Sequence, residues 1–337
     1  MGQRGETSSN SGYEVPFPSV TSPKLLLLVA TSHIRETLSA INLKQYIIGE
    51  VKMKEKPMKN EETLLKTEFK SAFILSVIIV ILMVVASVGG LFIDGIYQDN
   101  LLVKSALYSN DLVTLLLAVP LLILSLVLSK RGSQRAQLVW FGMLFYTLYN
   151  YAFYLFGAAF NSLFLVYVAL FTLSIFALIF GITSLNVKGI TERFRPGTPV
   201  KWIGGYMVLV ALLLGSFHIS LSLGYVFTGQ VPEIVINVEH PTNLISALDL
   251  SLVVSFGLLG AVWLWKRQPW GYVLAVIWNV NATVYMAALS AATVWAFQSG
   301  ASEDIMLVAL WGLIGVGCLI SFVLLLGNME SSEPKVQ

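Results

Sequence analysis

The sequence predicts an all-α fold, a polytopic membrane helix bundle with eight transmembrane helices. Hydrophobic residues make up 56% of the 337 residues and charged residues 12%, which is about half the charged share of an average soluble domain. Apolar runs close to the ~20 residues that a membrane-spanning helix needs recur along the chain. These runs do not alternate apolar and polar residues, as barrel strands do. A helix also bonds its own backbone amides inside hydrocarbon.

The segment from Trp140 to Tyr167 is the centre of this prediction. It gathers many aromatic residues into one apolar span, turns at Asn161-Ser162 and continues directly into a second apolar span. Such a segment is typical of a membrane hairpin.

Residues 1–70 are predicted as a disordered, basic cytoplasmic tail. The run from Leu25 to Ala30 is too short to cross a bilayer, and we expect no signal peptide. The segment Met58–Glu62 resembles a natural start of translation, and we expect the residues before Met53 or Met58 to be an over-extended reading frame or a dispensable tail. A genuine disordered tail is the equal alternative. Residues 329–337 are predicted as a short cytoplasmic tail.

The transmembrane domain is predicted over residues 71–328. Its eight predicted spans are Ser71–Phe92, Leu112–Leu128, Val139–Phe160, Leu163–Ser184, Trp202–Tyr225, Ile245–Leu264, Trp270–Phe297 and Ile305–Leu326.

Basic residues lie in the loops of one side only, apart from Lys104. The basic side carries Lys130, Arg131, Arg135, Lys188, Arg193, Arg195, Lys201, Lys266 and Arg267. The opposite loops carry Asp94, Asp99, Asp111, Glu233, Glu239, Glu303 and Asp304. The positive-inside rule therefore predicts a cell membrane protein with both termini in the cytoplasm, which agrees with an even number of spans.

The order of loops and spans suggests two four-helix halves in the same orientation. Asp111-Leu112 leads through a span to Lys130-Arg131, and Asp249-Leu250 leads through a span to Lys266-Arg267. Parallel repeats of this kind occur in transporters. The alternative is that any apolar hairpin with basic inner turns produces this pattern.

The third span carries a polar face. Tyr146, Asn150, Tyr154, Gly157 and Asn161 follow each other at helical spacing. An unpaired amide such as that of Asn150 near mid-membrane costs ~2–7 kcal/mol, so it must face the bundle. These residues either hold helices together or line an aromatic pocket open to the outside.

His218 and Asp249 form the one ionisable couple that the spans predict, because both lie in the outer half of the bundle. Asp111 is the corresponding carboxylate of the second span. The plainer interpretations are a hydrogen-bonded structural histidine, and two aspartates that cap the helices following them.

The seventh span adds Asn281 and Tyr285, whereas Asn279 points elsewhere. The full set of candidate substrate-binding residues is therefore Tyr146, Asn150, Tyr154, Asn161, His218, Asp249, Asp111, Asn281 and Tyr285. Pro120 predicts a kink in the second span.

The sequence motifs of several classes of function are absent from this chain. The chain has no P-loop, dinucleotide fingerprint or nucleophile elbow, so we assign no catalytic residue and no cofactor. Three scattered histidines and the single Cys318 predict no metal site. A net charge of +2 gives no argument for nucleic acid. An enzyme is not favoured, although His218 with either aspartate leaves acid–base work on a lipid-borne substrate open.

Spans two to four carry a resemblance to a family. The resemblance lies in the segments Asp111–Leu115, Pro120-Leu121, Lys130–Ser133, Tyr149–Tyr151, Phe156-Gly157 and Asn161–Ala169. From Asp111 to Ala169 the chain resembles an uncharacterised family of prokaryotic multi-pass membrane proteins with no assigned activity. The resemblance implies the topology and a prokaryotic source, and it implies no chemistry.

As function we expect a small-molecule transporter or permease-like protein with an outward-facing polar pocket. Two alternatives remain: a membrane-embedded enzyme or assembly factor for lipid or envelope precursors, and a sensory or scaffolding subunit. The expected partners are the lipid bilayer and an unknown small molecule or lipid.

Overall fold

The computed structural model describes residues 58–330, with side chains from Lys66 onward. Within that range the fold is all-helical. Of the two predicted tails, 1–70 and 329–337, residues 1–57 and 331–337 lie outside the described range. The helices are α1 (Met58–Phe92), α2 (Leu101–Val113), α3 (Val119–Lys130), α4 (Gln134–Gly157), α5 (Phe164–Thr183), α6 (Val187–Thr191), α7 (Val200–Thr228), α8 (Glu233–Val238), α9 (Leu244–Leu248), α10 (Ser255–Trp265), α11 (Pro269–Gln298) and α12 (Leu307–Gly327).

Seven helices of the described range are long and apolar enough to cross a membrane. They are Lys66–Phe92, Leu101–Lys130, Phe164–Thr183, Val200–Thr228, Leu244–Trp265, Pro269–Gln298 and Leu307–Gly327. The prediction of a multi-pass membrane protein is thereby confirmed. Because α1 begins at Met58, residues 58–70 are helical and do not belong to a disordered tail as predicted.

The predicted third span corresponds to α4, which is 24 residues long and is not among those seven helices. Its four tyrosines and Asn150 make it more polar than its neighbours. It is nevertheless enclosed, because it packs against α3, α5 and α11. Trp140 is fully buried, and its indole N–H donates to the Ser76 hydroxyl of α1 at 2.8 Å.

Helix α11 lies beside α4 in the interior of the bundle. Buried residues make up 61% of its apolar window, against 11–39% for the other six spanning helices. The two helices approach closely at Gly142, where an added Cβ would lie 2.6 Å from Cβ of Val280. Glycine is therefore required at this contact, and the pair forms the core on which the outer helices pack.

Two spans are interrupted by π-helical segments. Thr114–Ala118 joins α2 to α3, and Asp249–Val254 joins α9 to α10. Pro120 lies two residues after the first segment, and because proline lacks an N–H and collides with the carbonyl four residues earlier, it favours this interruption of the regular hydrogen bonds. The kink at Pro120 stays a prediction. Segments of this kind occur frequently at functional sites.

The capping interpretation of Asp111 and Asp249 is wrong. Helix α2 begins at Leu101 with Asn100 as its cap, and the Asn100 side chain accepts from Val103 N–H at 3.0 Å. Helix α9 is capped in the same way by Asn243. Both aspartates therefore lie inside their spans, with their carboxylates turned into the bundle and 1% and 6% exposed.

Candidate functional site

Helix α4 contacts both buried carboxylates. The Tyr149 hydroxyl donates to Asp249 Oδ1 at 2.5 Å, and the Tyr154 hydroxyl donates to Asp111 Oδ1 at 3.0 Å. We call the two groups the Asp249 cluster (Ser246, His218, Asp249, Tyr149) and the Asp111 cluster (Asp111, Tyr97, Tyr154).

The Asp249 cluster is a continuous chain of hydrogen bonds. The Ser246 hydroxyl lies 2.7 Å from His218 Nδ1, and His218 Nε2 lies 2.9 Å from Asp249 Oδ2. Tyr149 closes the chain on the other carboxylate oxygen, and the Tyr285 ring packs edge-on against Tyr149 with a centroid distance of 4.7 Å. The couple predicted between His218 and Asp249 is therefore present in the structure.

Local helix geometry explains this arrangement. Ser246 and Asp249 are three residues apart on one helical span, so both face the same neighbour. His218 comes from α7, which packs against α10 and against the π segment that begins at Asp249. Both imidazole nitrogens are thereby occupied, and His218 is 3% exposed. A chain of alternating hydroxyl, imidazole and carboxylate groups is able to pass a proton along its length.

The Asp111 cluster contains no imidazole. The Tyr97 hydroxyl donates to Asp111 Oδ2 at 2.5 Å, and the Tyr154 hydroxyl also approaches the Leu107 carbonyl at 2.8 Å. Burial raises the pKa of Tyr97, and the neighbouring Asp111 carboxylate raises it further, so the phenol stays protonated as a donor. Gly90 of α1 provides the space, because a Cβ there would overlap Asp111 and Tyr97.

The charge of Asp111 is not balanced by a basic side chain. Among residues 66–330, whose side chains the structure describes, no lysine, arginine or histidine forms an ion pair with Asp111, whereas Asp249 is paired with His218. Two tyrosine hydroxyls supply hydrogen bonds but no positive charge. The two carboxylates are therefore alike in burial and different in electrostatic surroundings.

Four buried tyrosines surround Asp111. We call Tyr97, Tyr151, Tyr154 and Tyr167 the tyrosine cage, and each is at most 1% exposed. The Tyr154 ring lies 5.1 Å from Tyr167, 5.4 Å from Tyr151 and 6.3 Å from Tyr97, measured between centroids. Tyr167 lies beside Tyr97 and Asn161, but its hydroxyl has no hydrogen-bond partner in the described part of the chain.

The other predicted site residues differ in their surroundings. Tyr146 bonds the Thr114 hydroxyl at 2.9 Å, at the start of the first π segment. Asn150 is 1% exposed, and neither side-chain atom has a hydrogen-bond partner among the described residues. Asn281 is 2% exposed with an unpartnered amide oxygen. Tyr285 packs beside the Asp249 cluster.

Asn161 does not continue the polar face of α4. That helix ends at Gly157, and Asn161 lies in the following turn, where its side chain accepts from Leu163 N–H at 2.9 Å. The prediction that Asn161 lies on the face of Tyr146 and Asn150 is therefore wrong. Its physical reason is local, because an asparagine bonds its own backbone readily in turns.

Two cavities are described, and neither contains a buried carboxylate. One, of about 640 Å³, is lined by Phe160, Asn161, Ser162, Phe164 and Leu165. The other, of about 160 Å³, is wholly apolar and is lined by Phe145, Leu148, Leu178, Ile182, Leu252, Phe256, Leu274, Ile277 and Trp278. Both clusters are enclosed by protein.

Three members of the clusters were not predicted from the sequence: Ser246, Tyr149 and Tyr97. Ser246 had a usable signal, since it precedes Asp249 by three residues on one helix. Tyr149 lies one position before Asn150 and was assigned to no face. Tyr97 gives no signal at all, because it lies in the loop between α1 and α2.

The fold and the enclosed polar clusters define an integral membrane protein with several spans. The described residues hold no group of three or more histidine, cysteine, aspartate or glutamate side chains able to bind a metal ion. Comparison with protein-family models, curated proteins and solved structures gives no match to this chain.

Proposed function

We propose that this protein is a proton-coupled small-molecule transporter of a prokaryotic cell membrane. It has eight spans, with α4 as the third, and both termini in the cytoplasm. The observation that carries the proposal is the hydrogen-bonded chain from Ser246 through His218 and Asp249 to Tyr149. Ionisable residues within a membrane span are costly and commonly form proton relays in transporters.

The π segments support this proposal. Discontinuous helices commonly form the substrate and ion sites of transporters. Here both interruptions adjoin a buried carboxylate: Asp249 opens one, and Asp111 precedes Thr114–Ala118 by three residues. The equivalent placement in spans two and six also supports the parallel repeat suggested by the sequence.

The chain of hydrogen bonds provides a step that couples proton movement to helix movement. Ser246 lies three residues after the helix cap Asn243, at the end of the bundle with the acidic loops. A proton entering there passes along the hydrogen bonds to His218 and Asp249, and its arrival changes the bond between His218 Nε2 and Asp249 Oδ2. The contact between α7 and the α9–α10 span then weakens. The enclosed clusters correspond to an occluded state, and the unpartnered Asn150 lies between them on α4.

Proton flux in proteoliposomes tests the proposal. Purified protein is reconstituted with an internal pH-sensitive dye, and libraries of amino acids, sugars, amines and nucleosides are added outside. We expect one class to cause internal acidification, and both His218→Gln and Asp249→Asn to abolish it with normal incorporation. The control Asp94→Asn changes an exposed carboxylate and retains the flux. Substrate uptake without proton movement would refute coupling.

A membrane-embedded enzyme is a second candidate, because Ser246, His218 and Asp249 also have the roles of nucleophile, base and orienting acid. A hydroxyl 2.7 Å from an imidazole is within reach of activation. A lipophilic fluorophosphonate tests this. The Ser246 oxygen would bond phosphorus, fluoride would leave, and His218 would take the proton. Labelling lost in Ser246→Ala and retained in the exposed-site control Ser251→Ala supports the enzyme.

A scaffold is the third candidate, and the bonds between helices favour it. Tyr146, Tyr154 and His218 are each engaged with another helix inside a packed interior. Membrane abundance separates this candidate from transport. If Tyr146→Phe and His218→Gln remove the protein from the membrane, these residues are structural. If the variants are inserted and folded, these side chains are not needed for the structure, and the result argues against the scaffold.

A further inference from the structure

We propose that the Asp111 cluster is the binding site for a small organic cation, a primary amine or a quaternary ammonium compound, held by the Asp111 carboxylate within the tyrosine cage. This inference rests on the proposed transport function and names its substrate class. The cation replaces the Tyr97 hydroxyl at the carboxylate, so Tyr97 and its loop act as a lid.

Electrostatics distinguish this site from the Asp249 cluster. A buried carboxylate is strongly unfavourable unless a positive charge compensates it. Asp249 has the imidazole of His218 at 2.9 Å, whereas Asp111, 1% exposed, has only hydroxyl groups beside it within the described residues. A bound cation supplies the charge that the protein itself does not provide there. Without a ligand, a proton on the carboxylate serves the same purpose.

The cage determines the kind of cation. Aromatic faces attract a cation placed within about 6 Å of the ring centroid, and quaternary ammonium ligands are commonly held by several such rings. Tyr151, Tyr154 and Tyr167 come from α4 and α5 and pack against one another with centroids 5.1–6.2 Å apart, so the cation binds beside these rings in the space that Tyr97 leaves. The buried Tyr151 hydroxyl has no hydrogen-bond partner among residues 66–330. A small metal ion needs several oxygen ligands instead, so this chemistry favours an organic ion.

The loop of residues 93–100 closes the site. Its Tyr97 is 1% exposed and occupies Asp111 Oδ2 at 2.5 Å, which is where an ammonium group would bind. Gly95 adopts φ 71°, a conformation that glycine accepts readily. The loop is fastened at its end, since Asp99 accepts from Ala159 N–H at 2.8 Å.

The surrounding loops favour the approach of cations. Contacts of Asp99 with Ala159, of Asn100 with Asn237 and of Ser105 with Ser299 bring the four loops together at one end of the bundle. These loops carry Asp94, Asp99, Glu233, Glu239, Glu303 and Asp304. A surface whose charges have one sign raises the local concentration of oppositely charged ligands.

Thermal unfolding of the purified full-length protein tests the site without requiring transport. The probes are tetramethylammonium chloride and ethylammonium chloride, with tert-butanol as the neutral isostere and sodium and potassium chloride as ionic controls. We expect saturable stabilisation by the organic cations only, because a ligand that binds the folded state raises its stability.

Variants locate the binding. Asp111→Asn weakens binding on the order of 100-fold, because it removes the buried counter-charge. Tyr154→Phe keeps the ring and retains binding, whereas Tyr154→Leu and Tyr167→Leu weaken it about tenfold. Tyr97→Phe removes the competing hydroxyl and binds at least as tightly as the unaltered protein. If Asp111→Asn does not fold, the two Tyr154 variants decide the question.

Three results would overturn the inference: equal stabilisation by tert-butanol, an Asp111-dependent effect of sodium or potassium alone, or full binding in both Asp111→Asn and Tyr154→Leu. The proposed function fails separately. His218→Gln retains cation binding and loses proton flux if both proposals hold. Cation binding without proton flux in the unaltered protein refutes coupling alone, and any of the three results above, together with proton flux driven by a neutral solute, refutes the cation site alone.

Discussion

The Tyr149 hydroxyl lies 2.5 Å from Asp249 Oδ1, so α4 holds the carboxylate that begins the second π-helical segment. Five residues further along α4, Tyr154 bonds Asp111. Five residues correspond to about 7.5 Å of rise and about 140° of rotation, which places the two hydroxyls on different sides of the helix. Helix α4 therefore connects the two carboxylates mechanically.

Substitution of Tyr149 by Phe removes one bond of this connection and leaves the ring. Because the bond joins a buried hydroxyl to a carboxylate, we expect a loss of about 1.5–3 kcal/mol in the free energy of unfolding. Unfolding in mixed detergent micelles measures it. Tyr225→Phe is the matched control, since Tyr225 is 50% exposed and should change stability little. Equal stability of the two variants would contradict the geometry.

The His218–Asp249 pair should show strong coupling in a double-mutant cycle. His218→Ala alone leaves a buried carboxylate without its partner and should cost about 3–5 kcal/mol. In His218→Ala/Asp249→Ala the uncompensated charge is absent, so the double variant should lose less than the sum of the single losses. The measurement is the unfolding free energy of the four proteins. Simple additivity would show that the 2.9 Å contact is not an interacting pair.

Some of this architecture follows from local sequence, and some does not. Hydropathy locates seven helices because burial in lipid acts on each ~20-residue segment separately. The His218–Asp249 couple follows from similar depth in adjacent spans. Tyr97 could not be found, since its partner is 14 residues away across a loop whose path depends on the whole bundle. The π segments also escape periodicity, because one widened turn shifts the face of every later residue.

Gly90 should be essential to the Asp111 cluster. A Cβ at this position would overlap the Asp111 carboxylate and the Tyr97 hydroxyl, so Gly90→Ala must displace one of them. We expect a loss of about 1–3 kcal/mol from overpacking and weakened binding of tetramethylammonium. Thermal unfolding with and without the cation measures both effects. Gly312→Ala is the control, because an added Cβ there meets nothing within 4 Å; similar behaviour of the two variants would argue against the packing around Asp111.

Cysteine accessibility decides whether α4 crosses the membrane. The natural Cys318 is fully buried, so Cys318→Ala provides a cysteine-free background. Arg131→Cys and Ser162→Cys then flank α4. If α4 is a span, a membrane-impermeant maleimide labels Ser162→Cys in intact cells and labels Arg131→Cys only after permeabilisation.

The loops beyond α4 serve as references in the same experiment. Glu303→Cys should react from outside and Arg195→Cys from inside, because basic loops remain in the cytoplasm. If α4 does not cross the membrane, positions 131 and 162 should be labelled from the same side. In that case α4 packs between the seven spanning helices and is not itself a span. Since Tyr149 and Tyr154 reach Asp249 and Asp111 inside two of those helices, α4 must extend to the depth of both carboxylates. We therefore expect α4 to cross the membrane, with positions 131 and 162 labelled from opposite sides.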